Sequence, residues 1–358
     1  MSSIAVEGNG ATFPIDKNES PRTMKRVVQE LYGSPDVLEL ERTPIPEIGD
    51  DQLLIQIHAT SVTATESVFR QGKPLFSRLF TGFRKPKVQT LGEEMAGRVM
   101  RTGKNVTEYE PGDMIFGSAG PGFGAAAEYL AVSADGAFIR MPKGLTPAEA
   151  AGSVDGFLTA LPFLRDVGAV KPGQRVLING ASGSVGAAAV QVAKYLDAEV
   201  TAICSGRNID FVKNLGADHV VDYTAENFPD RSKRYDVIFD AVGKISFRRF
   251  RELLVPRGLF LEAGMNMSIL LSVLASALFG GKKAKIAATG LRSESAKKND
   301  LKLLKDLMEA GTIVPTIDRS YSIDEIREAH RYVDTGRKRG NVVISVLEAD
   351  TGEAERSQ

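Results

Sequence analysis

Gly180, Gly183 and Gly186 are the residues whose type and spacing most directly suggest chemistry, because they lie between two contrasting runs. The apolar run at 176–178 is typical of a strand covered on both faces, as in a parallel sheet. The run at 187–194 consists of good helix formers. Glycines at a strand-to-helix turn let backbone amides and the helix dipole face a phosphate. The spacing predicts a pyrophosphate seat, although a turn packed tightly on a helix would need the same residues.

The strands that follow the turn continue the alternation of a doubly wound parallel sheet. Apolar runs recur at 200–204, 220–221, 237–240 and 259–262, each separated from the next by a connecting segment. Such repeated strand and helix units indicate a dinucleotide-binding fold around the glycine turn.

The residues after the second strand of this fold distinguish between two dinucleotides. An acidic side chain there accepts hydrogen bonds from a ribose 2′-hydroxyl and repels a 2′-phosphate. Residues 204–208 contain no acid, whereas Arg207 offers a charged planar fork to phosphate oxygens and Ser205 offers a hydroxyl donor. The pattern favours NADP(H) over NAD(H), with an ordinary charged residue at a helix start as the alternative for Arg207.

The composition of the chain excludes several functional classes. Its 358 residues suit two domains, and its 45 basic and 45 acidic residues balance. A zero net charge provides no overall field for nucleic acid or for an anionic membrane. The single cysteine, Cys204, excludes an intrachain disulfide and a multi-cysteine metal site, and a reducing, cytoplasmic location is expected. Residues 1–23 lack the basic start and apolar core of a signal peptide.

The segment 267–279 is apolar for about thirteen residues and is followed by Lys282, Lys283 and Lys285. It is shorter than the roughly twenty residues that span a bilayer. We interpret it as a helix buried in the fold or in a dimer contact. The alternative is a weak peripheral membrane or partner contact through residues 267–285.

The parts of the chain around the dinucleotide unit have a different pattern. Residues 25–132 are rich in β-like segments broken by prolines and glycines. Helices are predicted at 299–310 and 323–333, and a closing apolar strand at 341–347 is expected to join the first domain. The predicted division is a flexible tail at 1–23, a β-rich domain in two segments at 24–150 and 291–347, a dinucleotide-binding domain at 151–290, and a C-terminal tail at 348–358.

Further motifs accompany the glycine turn across residues 24–347. They are Gly33 to Glu39 with Pro44 and Pro46, Leu91 to Gly97, Pro111 to Asp113, Ala126 to Tyr129, Leu158 to Ala160, Gly216 to His219, Tyr223, Asp240 to Gly243, and Gly340 to Val343. With these motifs the chain resembles the zinc-independent branch of the medium-chain dehydrogenase/reductases, which includes quinone oxidoreductases and NADPH-dependent alkenal or enone reductases. The resemblance implies an α/β fold in which a Rossmann domain, a doubly wound parallel sheet, is inserted in a β-rich, GroES-like catalytic domain.

The resemblance also implies three groups of cofactor contacts. The pyrophosphate would be lined by Gly180, Ala181, Ser182, Gly183, Ser184, Val185 and Gly186. The 2′-phosphate and adenosine would be contacted by Ser205, Arg207 and Tyr223. The nicotinamide half would be approached by Thr159, Val242, Gly243, Ala263, Gly264 and Asn341. For Tyr223 and Asn341 a packing or surface role is the alternative.

Zinc-dependent members of the superfamily use a cysteine, a histidine and a second cysteine where this chain places Thr63, Glu93 and Asp155. A threonine and two carboxylates make a poor zinc site, so no metal is expected. The resemblance offers Thr63, Thr65 and Glu66 as candidate catalytic residues that could orient a substrate carbonyl. A tyrosine that donates a proton in some related enoyl reductases has no counterpart near residues 73–75.

These features predict an NADPH-dependent oxidoreductase. It would transfer hydride, without zinc, to a small electrophilic substrate: a quinone or the activated C=C bond of an α,β-unsaturated carbonyl. Two alternatives remain, an enoyl reductase of a biosynthetic pathway and an NADP-binding interaction protein with little turnover. The resemblance further implies a homodimer formed through the edges of the dinucleotide domains.

Overall fold

The computed structural model describes residues 23–73, 75, 78–225, 232–264, 267–279 and 281–347. The strands in this part of the chain are β1 (Thr23–Val28), β2 (Glu39–Pro44), β3 (Gln52–Val62), β4 (Glu94–Thr102), β5 (Met114–Ser118), β6 (Tyr129–Ser133), β7 (Phe138–Arg140), β8 (Arg175–Asn179), β9 (Glu199–Cys204), β10 (His219–Asp222), β11 (Tyr235–Asp240), β12 (Leu254–Glu262), β13 (Lys283–Lys285), β14 (Ile317–Ser322) and β15 (Asn341–Ser345). The predicted tails at 1–23 and 348–358 lie outside the described residues, except that Thr23 begins β1.

Six strands form a parallel sheet in the spatial order β10-β9-β8-β11-β12-β13. The order reverses at β8, which comes first along the chain, and this is the arrangement of a dinucleotide-binding fold. Val176 and Ile178 of β8 enter one hydrophobic core, whereas Leu177 enters the core on the opposite face. A strand buried on both faces needs a continuous apolar run, which explains the pattern in the sequence. The predicted doubly wound sheet is confirmed.

The second large sheet is mainly antiparallel and has the order β14-β15-β3-β4-β5-β7, with β6 also paired to β3. In this sheet β15 pairs antiparallel with β3, and Val343 lies opposite Ser61. The closing strand of the chain therefore joins the sheet built by the N-terminal half, as expected. The exact domain boundaries stay a prediction, and the one between residues 150 and 151 falls inside a helix.

The α-helices of the described residues are α1 (Ala64–Gln71), α2 (Arg78–Thr81), α3 (Pro147–Leu161), α4 (Ser184–Tyr195), α5 (Ile209–Asn214), α6 (Phe247–Phe250), α7 (Met267–Phe279), α8 (Glu294–Glu309) and α9 (Ile326–Asp334). The helix predicted at 299–310 begins earlier, at Glu294, because the Ser293 hydroxyl caps it by accepting a hydrogen bond from the Ala296 amide. The helix predicted at 323–333 starts as a 3₁₀ turn and continues as α9.

Helix α3 connects the two sheets. A capping box of Thr146 and Glu149 closes its N-terminus. Its buried face belongs to a core that also contains Phe116 of β5 and Val176 of β8. A side chain on Gly156 would lie 2.9 Å from the backbone oxygen of Ser184, so α3 packs directly on the start of α4. One hydrophobic core thus spans both sheets and brings α3 next to the glycine turn.

Candidate functional site

The glycine turn joins the end of β8 to the start of α4, and its three glycines have different surroundings. A Cβ on Gly186 would lie 2.1 Å from the carbonyl oxygen of Gly180. Gly180 has a φ of 73°, and a Cβ there would lie 2.1 Å from the Val242 side chain. At Gly183 the nearest atom would be 3.6 Å away. Gly180 and Gly186 are therefore required for packing, whereas Gly183 faces an open side where a ligand can approach the backbone.

Three backbone amides at the start of α4 point beyond the helix. The first hydrogen bond of the helix runs from the Ala187 amide to the Gly183 carbonyl oxygen, at 2.8 Å. The amides of Ser184, Val185 and Gly186 precede it and so have no partner within the helix. Together with the helix dipole, they form a site suited to an anion. The turn therefore fits the pyrophosphate that the sequence predicted.

Three residues of the turn form hydrogen bonds with other parts of the protein. Ala181 is fully buried and donates its amide to a backbone oxygen of β9, so these groups face the protein, and its contact with the pyrophosphate stays a prediction. The Ser182 hydroxyl accepts a hydrogen bond from the Asn208 side chain at 2.9 Å. The Ser184 hydroxyl donates to the Asp155 carboxylate at 3.2 Å. The hydroxyls of both serines are thus engaged with protein groups.

A cavity of about 450 Å³ lies at the start of α5, immediately after β9. Its lining, which we call the arginine cavity, consists of Arg207, Arg319, Arg337 and Arg339 with Asn208, Asp318, Tyr332 and Thr335. The guanidinium of Arg207 donates to the Arg337 carbonyl oxygen at 3.2 Å, although the two residues are 130 positions apart. Sequence reasoning identified Arg207 and missed the three other arginines, because the fold brings them from the C-terminal segment.

Asp318 is the acidic group of the arginine cavity, and protein donors engage it. The Tyr332 hydroxyl and the Arg339 amide donate to the same carboxylate oxygen at 2.6 and 2.8 Å. The Arg319 guanidinium stacks on the Tyr332 ring, 3.9 Å from its centroid. One carboxylate against four guanidinium groups leaves the lining strongly positive, which suits a phosphate monoester.

The residues after β9, 204–208, contain no acid, but the carboxylate of Asp222 on the neighbouring strand β10 lies beside them. A Cβ on Gly206 would lie 2.5 Å from a carboxylate oxygen of Asp222. Hydrogen bonds from Thr224 lower the pKa of Asp222, so this group is ionised. Tyr223, predicted to contact adenosine, follows it with 57% of its side chain exposed. The adenosine end therefore carries one acid that sequence reasoning missed, beside a larger number of arginines.

The residues predicted near the nicotinamide lie at the carboxyl ends of β11 and β12. A Cβ on Gly243 would lie 3.2 Å from the Gly264 Cα, so the two glycines pack face to face. The buried Asp240 carboxylate accepts from the Val242 amide at 3.0 Å, and its backbone oxygen accepts from the Ala263 amide at 2.9 Å. This edge of an open parallel sheet is where such folds bind ligands.

Two other residues predicted near the nicotinamide differ in their availability. Thr159 is half-buried and lies one helical turn after Asp155, so the two share a face of α3. Asn341 is buried, and its amide nitrogen donates to the backbone oxygen and the hydroxyl of Thr316 at 3.0 and 3.2 Å. The donor group of Asn341 thus holds β15 in place, and its approach to the nicotinamide stays a prediction.

Glu66 and Thr63 form a capping box at the start of α1. The Thr63 hydroxyl accepts from the Glu66 amide at 3.2 Å, and the Glu66 carboxylate accepts from the Thr63 amide at 3.4 Å. The second carboxylate oxygen of Glu66 accepts from the Gly92 amide at 2.7 Å. Burial raises the pKa of Glu66 to about 8, against the hydrogen bonds from Gly92 and Thr63. Glu66 thus ties α1 to the loop before β4, which argues for a positioning role over contact with substrate.

The two threonines predicted as catalytic candidates are placed differently. Thr63 is buried, and because its hydroxyl oxygen serves as an acceptor in the cap, its own proton is free for donation. Thr65 is exposed in the first turn of α1. Both hydroxyl groups stay candidates for orienting a substrate carbonyl.

Glu66 interacts with Glu93 and Glu94, and these two interact with Asp155. We call these four residues the carboxyl cluster. The buried Glu94 accepts from the Ser61 hydroxyl at 2.7 Å, and burial raises its pKa well above the usual range. Burial and the Asp155 carboxyl raise the pKa of Glu93 to about 7. Burial first, and repulsion between neighbouring carboxyl groups second, therefore favour the neutral forms of the cluster.

Lys338 is a cation whose charge acts on the carboxyl cluster, and sequence reasoning missed it. Burial lowers the pKa of Lys338, while attraction to Asp155 and Glu94 opposes that effect. In return, Lys338 counteracts the rise in the pKa of Asp155 that burial causes. Lys338 lies in the loop of residues 335–340, which we call the C-terminal loop. The Gly340 amide of this loop donates to the Ser182 carbonyl oxygen at 2.8 Å, which attaches the loop to the glycine turn.

The residues at the positions of zinc ligands in related enzymes do not suit zinc. The Thr63 hydroxyl serves in the helix cap, the Glu93 carboxylate accepts from the Ser118 hydroxyl at 3.4 Å, and Asp155 accepts from Ser184. These donors include neither a thiolate nor an imidazole. Within the described ranges, no group of three or more His, Cys, Asp or Glu side chains is arranged to hold a metal ion.

Comparison with protein families matches two parts of the chain. A family described as zinc-binding dehydrogenase matches residues 215–344. A family described as alcohol dehydrogenase GroES-like domain matches residues 49–143. The second match covers most of the N-terminal part of the antiparallel sheet.

Among curated proteins, the tomato 2-methylene-furan-3-one reductase is 32% identical over 337 residues, which cover 90% of this chain and 79% of that protein. The chloroplastic NADPH-dependent alkenal/one oxidoreductase of Arabidopsis thaliana is 30% identical over 341 residues, covering 90% and 80% of the two chains. Among solved structures, the quinone oxidoreductase of Coxiella burnetii superposes with a TM-score of 0.80 at 28% identity, covering 91% of this chain and 100% of that one.

Proposed function

We propose a function that rests on one established relationship: the chain belongs to the medium-chain dehydrogenase/reductase superfamily, in the branch of quinone oxidoreductases and alkenal or enone reductases. The proposed activity is zinc-independent transfer of a hydride from NADPH to a quinone or to the activated C=C bond of an α,β-unsaturated carbonyl. A relative named as an NADPH-dependent alkenal/one oxidoreductase supports both the cofactor and the substrate class.

The proposal rests on two neighbouring features. The glycine turn has an open side at Gly183, and the C-terminal loop, which is hydrogen-bonded to this turn, helps to line a cavity with four arginines. The amides of Ser184, Val185 and Gly186 would hold the pyrophosphate beside the unobstructed backbone of Gly183. Arg207, with the neighbouring arginines of the cavity, would hold the 2′-phosphate. The surplus of guanidinium groups outweighs the repulsion from Asp222, so the proposal is NADP(H).

When bound, NADPH supplies the hydride, and the protein's own groups position the substrate. In this proposal the Thr63 hydroxyl donates a hydrogen bond to the substrate carbonyl, because its oxygen already accepts from the Glu66 amide and its proton is free. A donor at this oxygen stabilises the negative charge that develops there as hydride reaches the conjugated carbon. Thr65 is the second candidate for this role. Glu66 fixes the position of the Thr63 backbone.

The donor types at residues 63, 93 and 155 support a reaction without zinc. Alcohol oxidation in related zinc enzymes needs a Lewis acid to stabilise an alkoxide, whereas reduction of a conjugated carbonyl needs only positioning and a hydrogen-bond donor. Elemental analysis of the purified protein is expected to find less than stoichiometric zinc. Tightly bound stoichiometric zinc would contradict this part of the proposal. A cytoplasmic location and a homodimer formed through the edge of the parallel sheet complete it.

The test of the activity is oxidation of NADPH by the purified protein with a panel of quinones, enones, enals, saturated aldehydes and alcohols. We expect turnover with quinones or conjugated carbonyls, and with NADPH in preference to NADH. Tight NADPH binding without turnover on any compound would favour an NADP-binding interaction protein instead. Turnover confined to thioester-linked enoyl substrates would favour a biosynthetic enoyl reductase.

The proposed cofactor seat has its own test in the glycine turn. Gly183→Ala adds a methyl group on the open side, so we expect weaker NADPH binding and a stability loss of no more than about 1 kcal/mol. Gly122→Ala is the matched control, because a Cβ there meets no atom within 4 Å and the residue lies in the loop between β5 and β6. Unchanged NADPH affinity in Gly183→Ala would place the pyrophosphate elsewhere.

A further inference from the structure

Helix α7 (Met267–Phe279) has an apolar face that packs on the protein. Ile269 is fully buried, and Val273 packs beside it, in the core cluster that contains Phe260 of the parallel sheet. The Ser276 hydroxyl accepts from the Ala284 amide at 3.0 Å, which joins the helix to β13. The helix therefore packs against one face of the parallel sheet, because the same cluster includes Leu177 of the central strand. One face of the helix is therefore buried in the fold, which is one of the two environments that the sequence predicts for this segment.

The opposite face of α7 is equally apolar but lies open. Leu270, Leu271, Leu274 and Leu278 are 39%, 61%, 63% and 73% exposed. Three of them recur every four residues and so form one row along the helix. A helix that is apolar all round is normally buried on every side, and an exposed apolar patch marks an interaction surface. We call this row the leucine face.

Basic residues lie on the elements that contact or follow α7. Helix α6 packs against α7 and carries Arg248 and Arg249, both exposed. Lys282 and Lys283 follow α7 after two glycines. The exposed acid close to them in the sequence is Glu252. Because the whole chain has a net charge of zero, this concentration of positive charge on the segments next to α7 is a local feature.

The charges decide which partner fits the leucine face. A second copy of this chain would meet the face through a two-fold axis, which brings the same basic residues of both copies together. A surface of anionic lipid offers opposite charge to the arginines and lysines and an apolar layer to the leucines. A dimer formed through the edge strand β13 would use the sheet edge, whereas the leucine face lies above the sheet.

We propose that the leucine face of α7 docks the protein on an anionic membrane surface, with the helix axis in the plane of the interface. The 13 residues of α7 span about 20 Å at 1.5 Å per residue, less than the hydrocarbon core of a bilayer. Across the described residues, no helix is long and apolar enough to cross a membrane. The leucines enter the boundary between headgroups and acyl chains while Arg248, Arg249, Lys282 and Lys283 contact lipid phosphates.

The test is flotation of the full chain with vesicles of phosphatidylcholine alone and with vesicles that also contain phosphatidylglycerol. We expect binding to the anionic vesicles that decreases as salt is raised. The double variant Leu271→Glu/Leu274→Glu should bind at least about tenfold more weakly, because it removes two apolar contacts and adds two negative charges. Lys282→Glu/Lys283→Glu should also weaken binding by about tenfold.

The matched control is Leu291→Glu, because Leu291 is 89% exposed but lies outside α7. It should bind vesicles like the wild-type chain. Thermal unfolding and NADPH affinity, measured on every variant, separate loss of docking from loss of folding. The proposal is overturned if the wild-type chain ignores anionic vesicles, or if Leu291→Glu weakens binding as much as the double variant. It is also overturned if the leucine variants abolish a concentration-dependent dimer of a chain that does not bind vesicles, which would assign the face to a second copy.

Discussion

The arginine cavity and the carboxyl cluster differ in how burial acts on their charges. Arg207 and Arg337 are exposed at the rim, and the guanidinium group is a permanently charged side chain in proteins. Glu66 is 1% exposed, and burial raises its pKa to about 8. The cavity is therefore a permanent positive field for a ligand, whereas the cluster is a scaffold whose charge depends on pH. The C-terminal loop joins the two, because Arg337 and Arg339 line the cavity while the charge of Lys338 acts on Asp155.

The largest expected effect concerns the permanent charges. The double variant Arg207→Ala/Arg337→Ala should weaken NADPH binding by about 100-fold, since it removes two charge-assisted contacts to one phosphate, about 3 kcal/mol together. NADH, which lacks the 2′-phosphate, should lose little affinity. Titration of both nucleotides by fluorescence measures the difference, with the exposed Arg101→Ala on β4 as a control. Equal losses for NADPH and NADH would show that the cavity does not bind the 2′-phosphate.

The next effect concerns the buried carboxyl groups. Glu66→Gln should lower the free energy of unfolding by about 1–3 kcal/mol, because both carboxylate oxygens accept from backbone amides and an amide side chain can accept at one end only. Glu149→Gln at the start of α3 is the matched control, since its capping contacts use one oxygen at an exposed position. It should change stability by less than about 0.5 kcal/mol. Urea unfolding measures both, and equal losses would contradict the assigned role of burial.

A smaller effect should appear in the pH dependence of stability. The pKa of Glu93 in the folded protein is raised to about 7 from an ordinary value of 4.5, so the folded state binds more protons than the unfolded chain between these values. The stabilisation is complete below about pH 4.5 and is lost as pH rises through 7. We expect Glu93 to contribute a fall of about 1 kcal/mol in the free energy of unfolding between pH 6 and 8, in addition to the fall from Glu66, whose pKa is raised to about 8. Glu93→Gln should reduce the slope by this share, and an unchanged slope would exclude Glu93 as a source.

The smallest effect is the response to salt. Raising ionic strength should weaken NADPH binding a few-fold more than NADH binding. Dissolved ions screen the attraction between the exposed arginines and the additional phosphate of NADPH. Titration of the two nucleotides at low and physiological salt provides the measurement. Identical salt dependence for both would indicate that the cavity contributes no field at the phosphate.

The parallel sheet could be predicted from the sequence because its signals are local. Each strand is a continuous apolar run, and the glycine turn follows the first of them within two residues. Burial on both faces imposes this pattern on each strand separately, so no long-range information is needed. The open surroundings of Gly183 and the packing of Gly186 agree with the spacing of the turn.

The site itself was only partly predictable. Arg207 follows a recognisable strand, but Arg337 is 130 residues away. Its loop reaches the cavity through the pairing of β15 with β14 and β3 and through the bond from Gly340 to Ser182. Thr63 and Glu66 have the three-residue spacing of a capping box, and that signal could have separated the structural role of Glu66 from a catalytic one. Membership of the glycine motif does not say which side of the turn a residue faces, and the burial of Ala181 is visible only in the structure.

The predicted boundary between the two domains lies in helix α3, but it does not separate two parts that unfold independently. Its buried side chains share one core with Phe116 of the antiparallel sheet and Val176 of the parallel sheet. Loss of either sheet would expose that core, so the molecule is expected to unfold in one cooperative step. Exchange of the dinucleotide module between relatives would therefore have to carry the core-facing side chains of α3 along with it. The dinucleotide module is continuous in the sequence, but its stability depends on the core that it shares with the rest of the molecule.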